Sequence, residues 1–219
     1  MKREIIKLKH NSQEWLAFRT TGIGGSDASA VLGLNPWKSN VELWEEKVGL
    51  RAQLAIADNA AVEYGTKAEK PLRDLFLLDF PEYRISTIKN SVFKADDFMF
   101  ASLDGELVDK KTKRKGVLEI KTSTIFSSMN RERWAGKIPQ NYYIQLLHYL
   151  LVTGYDFAIL KAQLKSSQDG GVYLQTRHYY VDGTDENVKG DMQYLFEAER
   201  AFWADVKAKK RPALILPQI

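Results

Sequence analysis

Residues 102–108, Ser-Leu-Asp-Gly-Glu-Leu-Val, followed at 116–121 by Gly-Val-Leu-Glu-Ile-Lys, decide the fold. Asp104-Gly105 is a turn-forming pair at the end of one predicted strand. Glu119 and Lys121 stand two apart on the next, so both side chains leave the same face. If the basic segment 109–115 between them is a hairpin turn, the strands pair and Asp104 comes near Glu119. Two such carboxylates can hold Mg²⁺, which takes oxygen ligands and keeps several waters. The ion lowers the pKa of a bound water and so makes a nucleophile at neutral pH. Lys121 can orient that water or neutralise charge developing on a phosphate. Asp-Gly and Glu-x-Lys are each common in ordinary turns and solvated strands. Here Val117, Leu118 and Ile120 make the strand apolar, and charges on a buried strand require partners.

Outward from this hairpin, Ser12 to Thr20 reads as a short helix with Ser12 as N-cap, broken by Gly22-Ile-Gly-Gly25. Ser26 is expected to cap a second helix, Asp27 to Leu32, closed by Gly33. Ser39-Asn-Val-Glu42 is a capping box opening a third helix that stops at Gly49. A longer helix is expected from about Asp58 to Asp79, with Val62, Leu72, Leu75 and Phe76 among its apolar positions. Beyond Pro81 the pattern changes to strands at Arg84–Lys94, Phe98–Ser102, Glu106–Val108 and Gly116–Lys121. Pro139–Val152 returns to helical spacing and ends at Gly154. Phe157–Leu164 and Val172–Val181 are strands joined by the polar turn Ser166–Gly171. A last helix, about Glu186–Lys209, buries Val188, Leu195, Phe202 and Val206 along one stripe. The expected fold class is a mixed α/β (α+β) architecture, a central mixed sheet flanked by helices. The expected organisation is a single domain over 1–219, with an N-terminal helical segment at about 12–50, a core at about 58–181 and a C-terminal helix at about 186–209.

The 219 residues contain 44% hydrophobic residues, enough for a sizeable core, and no cysteine. Disulfides, thiolate zinc sites, cysteine nucleophiles and cysteine-held iron–sulfur clusters are thereby excluded. His10, His148 and His178 form no HxxxH or HExxH pair, so a metal has to be a hard cation held by carboxylates. His148, alone on its helix, reads as a packing residue or an exposed one. No apolar run approaches the roughly 18 residues of a membrane span, and Met1–Lys9 does not resemble a secretory signal. A cytoplasmic protein with no membrane association is expected. The net charge of +4 is mild. Its clusters at Lys110, Lys111, Lys113, Arg114 and Lys115, and at Lys207, Lys209, Lys210 and Arg211, suit phosphates as well as they suit a solvated turn and tail.

Asp104 followed by Glu119-x-Lys121 resembles the PD-(D/E)xK nuclease core, with Leu103 where the name-giving proline would stand. Gln145-Leu-Leu-His-Tyr149 matches the QxxxY motif of its RecB-like and phage-exonuclease branches, and Gln145 and Tyr149 share one helix face. The stretch Trp15-Leu-Ala-Phe-Arg19-Thr-Thr-Gly22-Ile-Gly-Gly-Ser26-Asp-Ala is more specific still. It resembles the YqaJ-like viral recombinase, or phage λ exonuclease, family. That resemblance runs over roughly residues 12–165, through Tyr64-Gly-Thr-Lys-Ala-Glu69, Asp104, Glu119, Lys121 and Gln145.

The resemblance implies a restriction-endonuclease-like core and a Mg²⁺-dependent 5′→3′ double-strand DNA exonuclease, with Mn²⁺ as the alternative ion. Mononucleotides would be released and a 3′ single-stranded tail left for phage-type recombination. Asp104 and Glu119, with the Ile120 carbonyl, would bind one or two ions, assisted by Glu69, while Lys121 and Gln145 position the water. Arg19 and Ser26 would hold the 5′-terminal phosphate, with Tyr149 beside them. A helix N-terminus with glycines admits a phosphate closely, and an arginine can clamp it bidentately. The implied partners are double-stranded DNA ends, a single-strand annealing recombinase and two further copies in a homotrimer, in the cytoplasm of a bacterial host. The rival readings are a structure- or site-directed endonuclease on the same core and a catalytically silent DNA-end-binding module.

Overall fold

The computed structural model describes residues 2–9, 12–52, 60–86, 90–168 and 171–216. The helices are α1 (Gln13–Arg19), α2 (Gly25–Val31), α3 (Asn40–Lys47), α4 (Ala60–Asp79), α5 (Ser128–Arg133), α6 (Gln140–Thr153) and α7 (Glu186–Lys207). The strands are β1 (Arg3–Lys7), β2 (Ile23–Gly24), β3 (Tyr83–Ser86), β4 (Ser91–Ala95), β5 (Met99–Ala101), β6 (Gly105–Asp109), β7 (Lys115–Ile125), β8 (Phe157–Gln168) and β9 (Gly171–Asp182).

The hairpin read from residues 102–121 is present. β6 and β7 pair antiparallel with Gly105 opposite Leu118 and Val108 opposite Lys115. They sit in a five-stranded mixed sheet ordered β3-β6-β7-β8-β9, in which β7 and β8 run parallel. A parallel pair requires a crossover, here supplied by α5 and α6. Sheet strands covered on both faces lose the polar alternation of a half-exposed strand, which accounts for the run Gly116–Ile120, buried throughout. One face packs Leu118, Ile120 and Ile159 against Leu72 and Phe76 of α4. The other packs Val117, Ala158 and Leu160 against Leu146, Leu147 and Leu150 of α6 and Leu195, Phe202 and Val206 of α7.

A second, four-stranded sheet, ordered β1-β4-β5-β2, was not anticipated. The segment expected as one strand, Arg84–Lys94, is instead β3 in the first sheet and β4 in the second. Asn90 adopts φ 51°, a left-handed conformation that breaks an extended run. The strands β8 and β9 are longer than expected, and Ser166 and Ser167 pair with Tyr173 and Val172 rather than forming a loop. Ladder hydrogen bonds outweigh their polar character. Asp58, the expected start of the long helix, and His10 lie outside the described residues. In α4 only Leu72 and Phe76 are buried, whereas Val62 and Leu75 face outward. Ser26 does not cap α2: Gly24 occupies the N-cap position, and the Asp27 carboxylate accepts its N–H at 3.3 Å. Ser26 stands in the first turn instead.

His148 is fully buried and joins three elements. Its Nε2 donates to the Phe100 carbonyl of β5 at 3.0 Å, and its Nδ1 lies 2.7 Å from Glu199 Oε1 of α7. Burial alone pulls the imidazole down, but Glu199 and the carbonyl outweigh it and hold it above its ordinary value. A raised folded-state value stabilises the protein below pH about 6.5 and is lost as pH rises through it. Glu199→Ala is expected to cost about 3–5 kcal/mol, because a buried partner is left unpaired. Glu199→Gln is expected to remove the loss of stability on going from neutral to alkaline pH. Urea unfolding across that range checks both, and an unchanged pH slope in the Gln variant would contradict the assignment.

Candidate active site

Residues from α1, β2, α2, α4, β7 and α6 and from the loop before β6 meet at one cleft of 570 Å³, lined by Arg19, Gly24, Gly25, Ser26, Glu69, Arg73, Asp104, Glu119, Lys121, Gln145 and Tyr149, among others. The structure thus brings together the side chains of Arg19, Ser26, Glu69, Asp104, Glu119, Lys121, Gln145 and Tyr149, whereas Ile120 and the basic clusters at 110–115 and 207–211 do not line the cleft.

Asp104 stands one residue before β6, beside the strand that carries Glu119. Its Oδ2 accepts the Ile120 backbone N–H at 2.8 Å, which fixes the carboxylate against β7. From α4, Arg73 Nη1 donates to the Asp104 carbonyl at 2.5 Å and to Glu69 Oε1 at 2.8 Å. The Glu69–Arg73 helix pair thus forms as any i, i+4 pair might, yet it also brackets the acidic cluster. The i, i+4 spacing of Glu69 and Arg73 is legible in the sequence; the contact of Arg73 with the Asp104 carbonyl, across 31 residues, is not.

Glu119 is buried on the α6 side of β7. Its Oε1 receives Lys121 Nζ at 2.5 Å and Gln145 Nε2 at 2.8 Å. Gln145 Nε2 also lies 2.7 Å from the Tyr149 hydroxyl. The QxxxY pair is thus directed at the acid. The Lys121 ammonium sits 5.4 Å from the centre of the Tyr142 ring, a cation–π contact. Burial opposes the Lys121 charge, but Glu119 and Asp104 outweigh it and hold the ammonium above its usual range. Burial pushes the Tyr149 hydroxyl well up, with Glu119 and Asp104 adding to it.

Glu119 Oε2 is buried and, among the described residues, has no hydrogen-bond partner. Burial, then the Glu119 charge, pushes the Asp104 carboxyl well above the ordinary carboxylate range, and Lys121 only partly offsets this. Three carboxylates, Asp104, Glu119 and Glu69, face two cations, Lys121 and Arg73, so the cluster is short of positive charge. Among the described residues no group of three or more His, Cys, Asp or Glu is arranged as a metal cage. Two carboxylates with an orphaned oxygen are nevertheless a donor set that suits a hard divalent cation retaining waters.

The other end of the cleft is cationic. Arg19, at the end of α1, lies 4.9 Å over the Trp15 ring, with Nη2 3.7 Å from Asp27 Oδ1. Lys47 of α3 donates to Asp27 Oδ2 at 2.8 Å and to the Arg19 carbonyl at 2.7 Å. Asp27 and Lys47 were not singled out from the sequence, because their contact spans twenty residues. Gly25 lets this end approach α6, since a Cβ there would strike the Tyr149 ring. Ser26 is exposed beside it.

Residues 14–156 match the model of the YqaJ-like viral recombinase domain. The chain belongs to that family. It is 32% identical over 216 residues to the protein YqaJ of Bacillus subtilis (strain 168), an alignment covering 92% of this chain and 58% of that protein. The chain thus spans less than two thirds of that relative. Among solved structures it resembles an alkaline exonuclease from Laribacter hongkongensis, with TM-score 0.61 and 19% identity over 91% of this chain and 94% of the other. That exonuclease has also been solved in complex with dAMP. A phage-related exonuclease from Haemophilus somnus 129PT superposes with TM-score 0.57 and 12% identity, over 86% and 96% of the two chains. At these identities the likeness establishes the shared mixed α/β fold. Among the described residues no helix is long and apolar enough to cross a membrane.

Burial works against the Asp27 carboxylate, but Lys47 and Arg19 hold it at about 2. The folded value lies below the unfolded one, so its contribution is present above pH about 4 and is lost as pH falls toward 2. Burial pulls Lys47 down against Asp27, so the pair yields less than the acid alone implies. Lys47→Met is expected to cost about 3 kcal/mol at pH 7. Burial then raises Asp27, so the variant should gain stability on acidification from pH 7 to 5, where the wild type gains nothing from this group. Thermal unfolding at both values checks this. A midpoint that drops on acidification would assign the charge of Asp27 to Arg19 instead.

Proposed function

We propose that this protein is a metal-dependent DNA exonuclease that degrades one strand of a duplex 5′→3′, releases mononucleotides and leaves a 3′ single-stranded tail. The observation that carries this reading is the division of one cleft into two ends: a buried acid pair short of positive charge, and Arg19 with Ser26 beside a buried Asp27–Lys47 pair. An enzyme that starts from a strand end needs a place for the terminal phosphate next to the place of cleavage. An enzyme that cuts within a strand does not, which sets aside the endonuclease. Retention of Asp104, Glu119 and Lys121 together disfavours a silent end-binding module.

Asp104, Glu119 and the Ile120 carbonyl would hold one or two Mg²⁺ ions, with Mn²⁺ as the alternative and Glu69 assisting. Such an ion supplies an activated water and offsets charge on the phosphate under attack. Lys121 sits where it can hold that water and neutralise the developing charge. Gln145 fixes the Glu119 carboxylate, and Tyr149 fixes Gln145 and closes the cleft against Gly25. Arg19 presents its guanidinium, stacked on Trp15, to the 5′-terminal phosphate, and the Ser26 hydroxyl donates to the same group. The dAMP bound by the Laribacter exonuclease is the size of the product that this cleft would release. Family membership supports a role in phage-type recombination, in which a homotrimer on double-stranded DNA ends would hand its 3′ tail to a single-strand annealing recombinase.

The decisive comparison uses linear duplexes with 5′-phosphate or 5′-hydroxyl ends beside a closed circular plasmid, with Mg²⁺ or with EDTA. Expected is Mg²⁺-dependent loss of the 5′-phosphorylated strand with the circle untouched. Glu119→Gln and Lys121→Ala should each lower the single-turnover rate by at least about a hundredfold, the scale of losing one group that stabilises a transition state. Arg19→Ala should abolish the preference for the 5′-phosphate while leaving slow cleavage of the 5′-hydroxyl end. Nicking of the circle would overturn the exonuclease in favour of the endonuclease, and no cleavage of any substrate would favour the binding module.

A further inference from the structure

The face of the sheet that carries Glu119 and Lys121 continues beyond the cleft. Side chains two apart on a strand share a face, so Ser123 and Ile125 of β7 follow Lys121 on the same side. On the neighbouring parallel strand that face carries Leu160, Ala162, Leu164 and Ser166, the first three packed into the core shared with Val117 and α6. Directly opposed residues of an antiparallel pair also share a face. The register sets Arg177 opposite Ala162, Gln175 opposite Leu164 and Tyr173 opposite Ser166. The catalytic face therefore runs, across three strands, into Tyr173, Gln175 and Arg177.

Over this extension lies α5, and between them is a groove of 300 Å³ lined by Ile125, Arg131, Leu164, Tyr173, Gln175 and Arg177, with Ser166 and Leu174. It begins four residues past Lys121, about 13 Å along the strand at 3.3 Å per residue. That is roughly four steps of the 3.4 Å rise per nucleotide of one strand. Among the described residues both ionisable cations in the groove are arginines, and no acidic one lines it. Among the described residues neither arginine meets a carboxylate within ion-pair distance. Arg177 is oriented by the Trp134 carbonyl and by Gln175 Oε1, so its charge is positioned without being neutralised. Tyr173 is 55% exposed on the groove wall, and Leu174 beside it is similarly open.

Unpaired cations beside an exposed aromatic ring are the chemistry of single-stranded nucleic acid binding, in which arginines follow phosphates and rings stack on bases. We propose that this groove binds single-stranded DNA, a few nucleotides from the scissile phosphate, with Arg131 and Arg177 on the backbone and Tyr173 stacked on an unpaired base. The proposal rests on the exonuclease reading for its biological setting, not for its binding chemistry. A second protein copy would fit the apolar margin, but it would not require two arginines with no acidic residue among them.

The test uses the full chain in EDTA and a fluorescein-labelled oligothymidylate of about twelve nucleotides, within the site size of such grooves. Arg131→Gln and Tyr173→Ser, both at exposed positions, are compared singly and together with wild type by anisotropy over a salt series. Expected is about tenfold weaker binding by the double variant, with the salt slope reduced by about one phosphate contact. Single-turnover removal of the first nucleotide from a short blunt duplex should be unchanged. Oligothymidylate affinity within twofold of wild type would overturn the proposal, as would wild type that binds no oligothymidylate. Changed sedimentation of the double variant with unchanged affinity would also overturn it, reassigning the groove to a contact between copies. Loss of oligonucleotide binding in the double variant, in a protein whose wild type cleaves no DNA, would sustain the groove and sink only the exonuclease reading.

Discussion

The acceptance of the Ile120 N–H by Asp104 Oδ2, at 2.8 Å, is the contact on which the site depends. It ties the residue that ends one segment to the middle of the next strand, and so converts a strand pairing into a fixed distance between two acids. Arg73 completes the restraint from α4 by holding the carbonyl of the same residue. A carboxylate so held has little freedom to turn away from its neighbour's charge. The pair is consequently short of positive charge: burial and the Glu119 charge drive the Asp104 carboxyl up, and Glu119 retains a buried oxygen with no partner among the described residues. In the proposed metal-dependent reading, the ordering of these two ligands would be done by folding before a cation arrives.

The two ends of the cleft solve opposite electrostatic problems by different means. At the acid end negative charge exceeds positive. At the Arg19 end, Asp27 is buried together with Lys47, so that pair neutralises itself while Arg19, anchored on Trp15, retains a more distant contact with Asp27. A buried ion pair adds little to stability once desolvation is counted. Its consequence here is geometric: Lys47 holds the Arg19 carbonyl and Asp27 holds the Gly24 N–H, so α1, β2, α2 and α3 are locked around the same point. Glycine at position 25 then allows the Tyr149 ring to close the gap between the ends.

One helix, α6, serves three purposes by its periodicity. Leu146, Leu147 and Leu150 pack into the main core, Gln145 and Tyr149 reach the acid, and His148 joins β5 to α7 through Glu199. The basic turn between β6 and β7 serves the fold more than any partner. Arg114 is engaged with Asp182 and the Asp156 carbonyl, and Lys110 with the Pro81 carbonyl, at the end of the hairpin away from the acids. Among the described residues Arg131 on α5 and Arg177 on β9 have no carboxylate within ion-pair distance, and both line the groove further along the face that carries Glu119 and Lys121.

The sequence by itself determined the elements whose signals are local. A two-residue spacing set Glu119 and Lys121 on one face, a four-residue spacing joined Gln145 to Tyr149, and capping residues marked α1 and α3. Apolar stripes then fixed which sides of α6 and α7 face the core. Those are short-range constraints, set by backbone geometry and readable one segment at a time. The tertiary structure alone decided the rest. The apparent single strand 84–94 divides between two sheets, the cap of α2 falls on Gly24 with Asp27 rather than on Ser26, and Arg73 reaches residue 104. Lys47 pairs with a residue twenty positions away, and the faces of β8 and β9 continue the face of β7 that carries Glu119 and Lys121. Each of these is a contact between segments distant in the chain, where burial and unsatisfied polar groups choose among partners that local periodicity leaves equivalent.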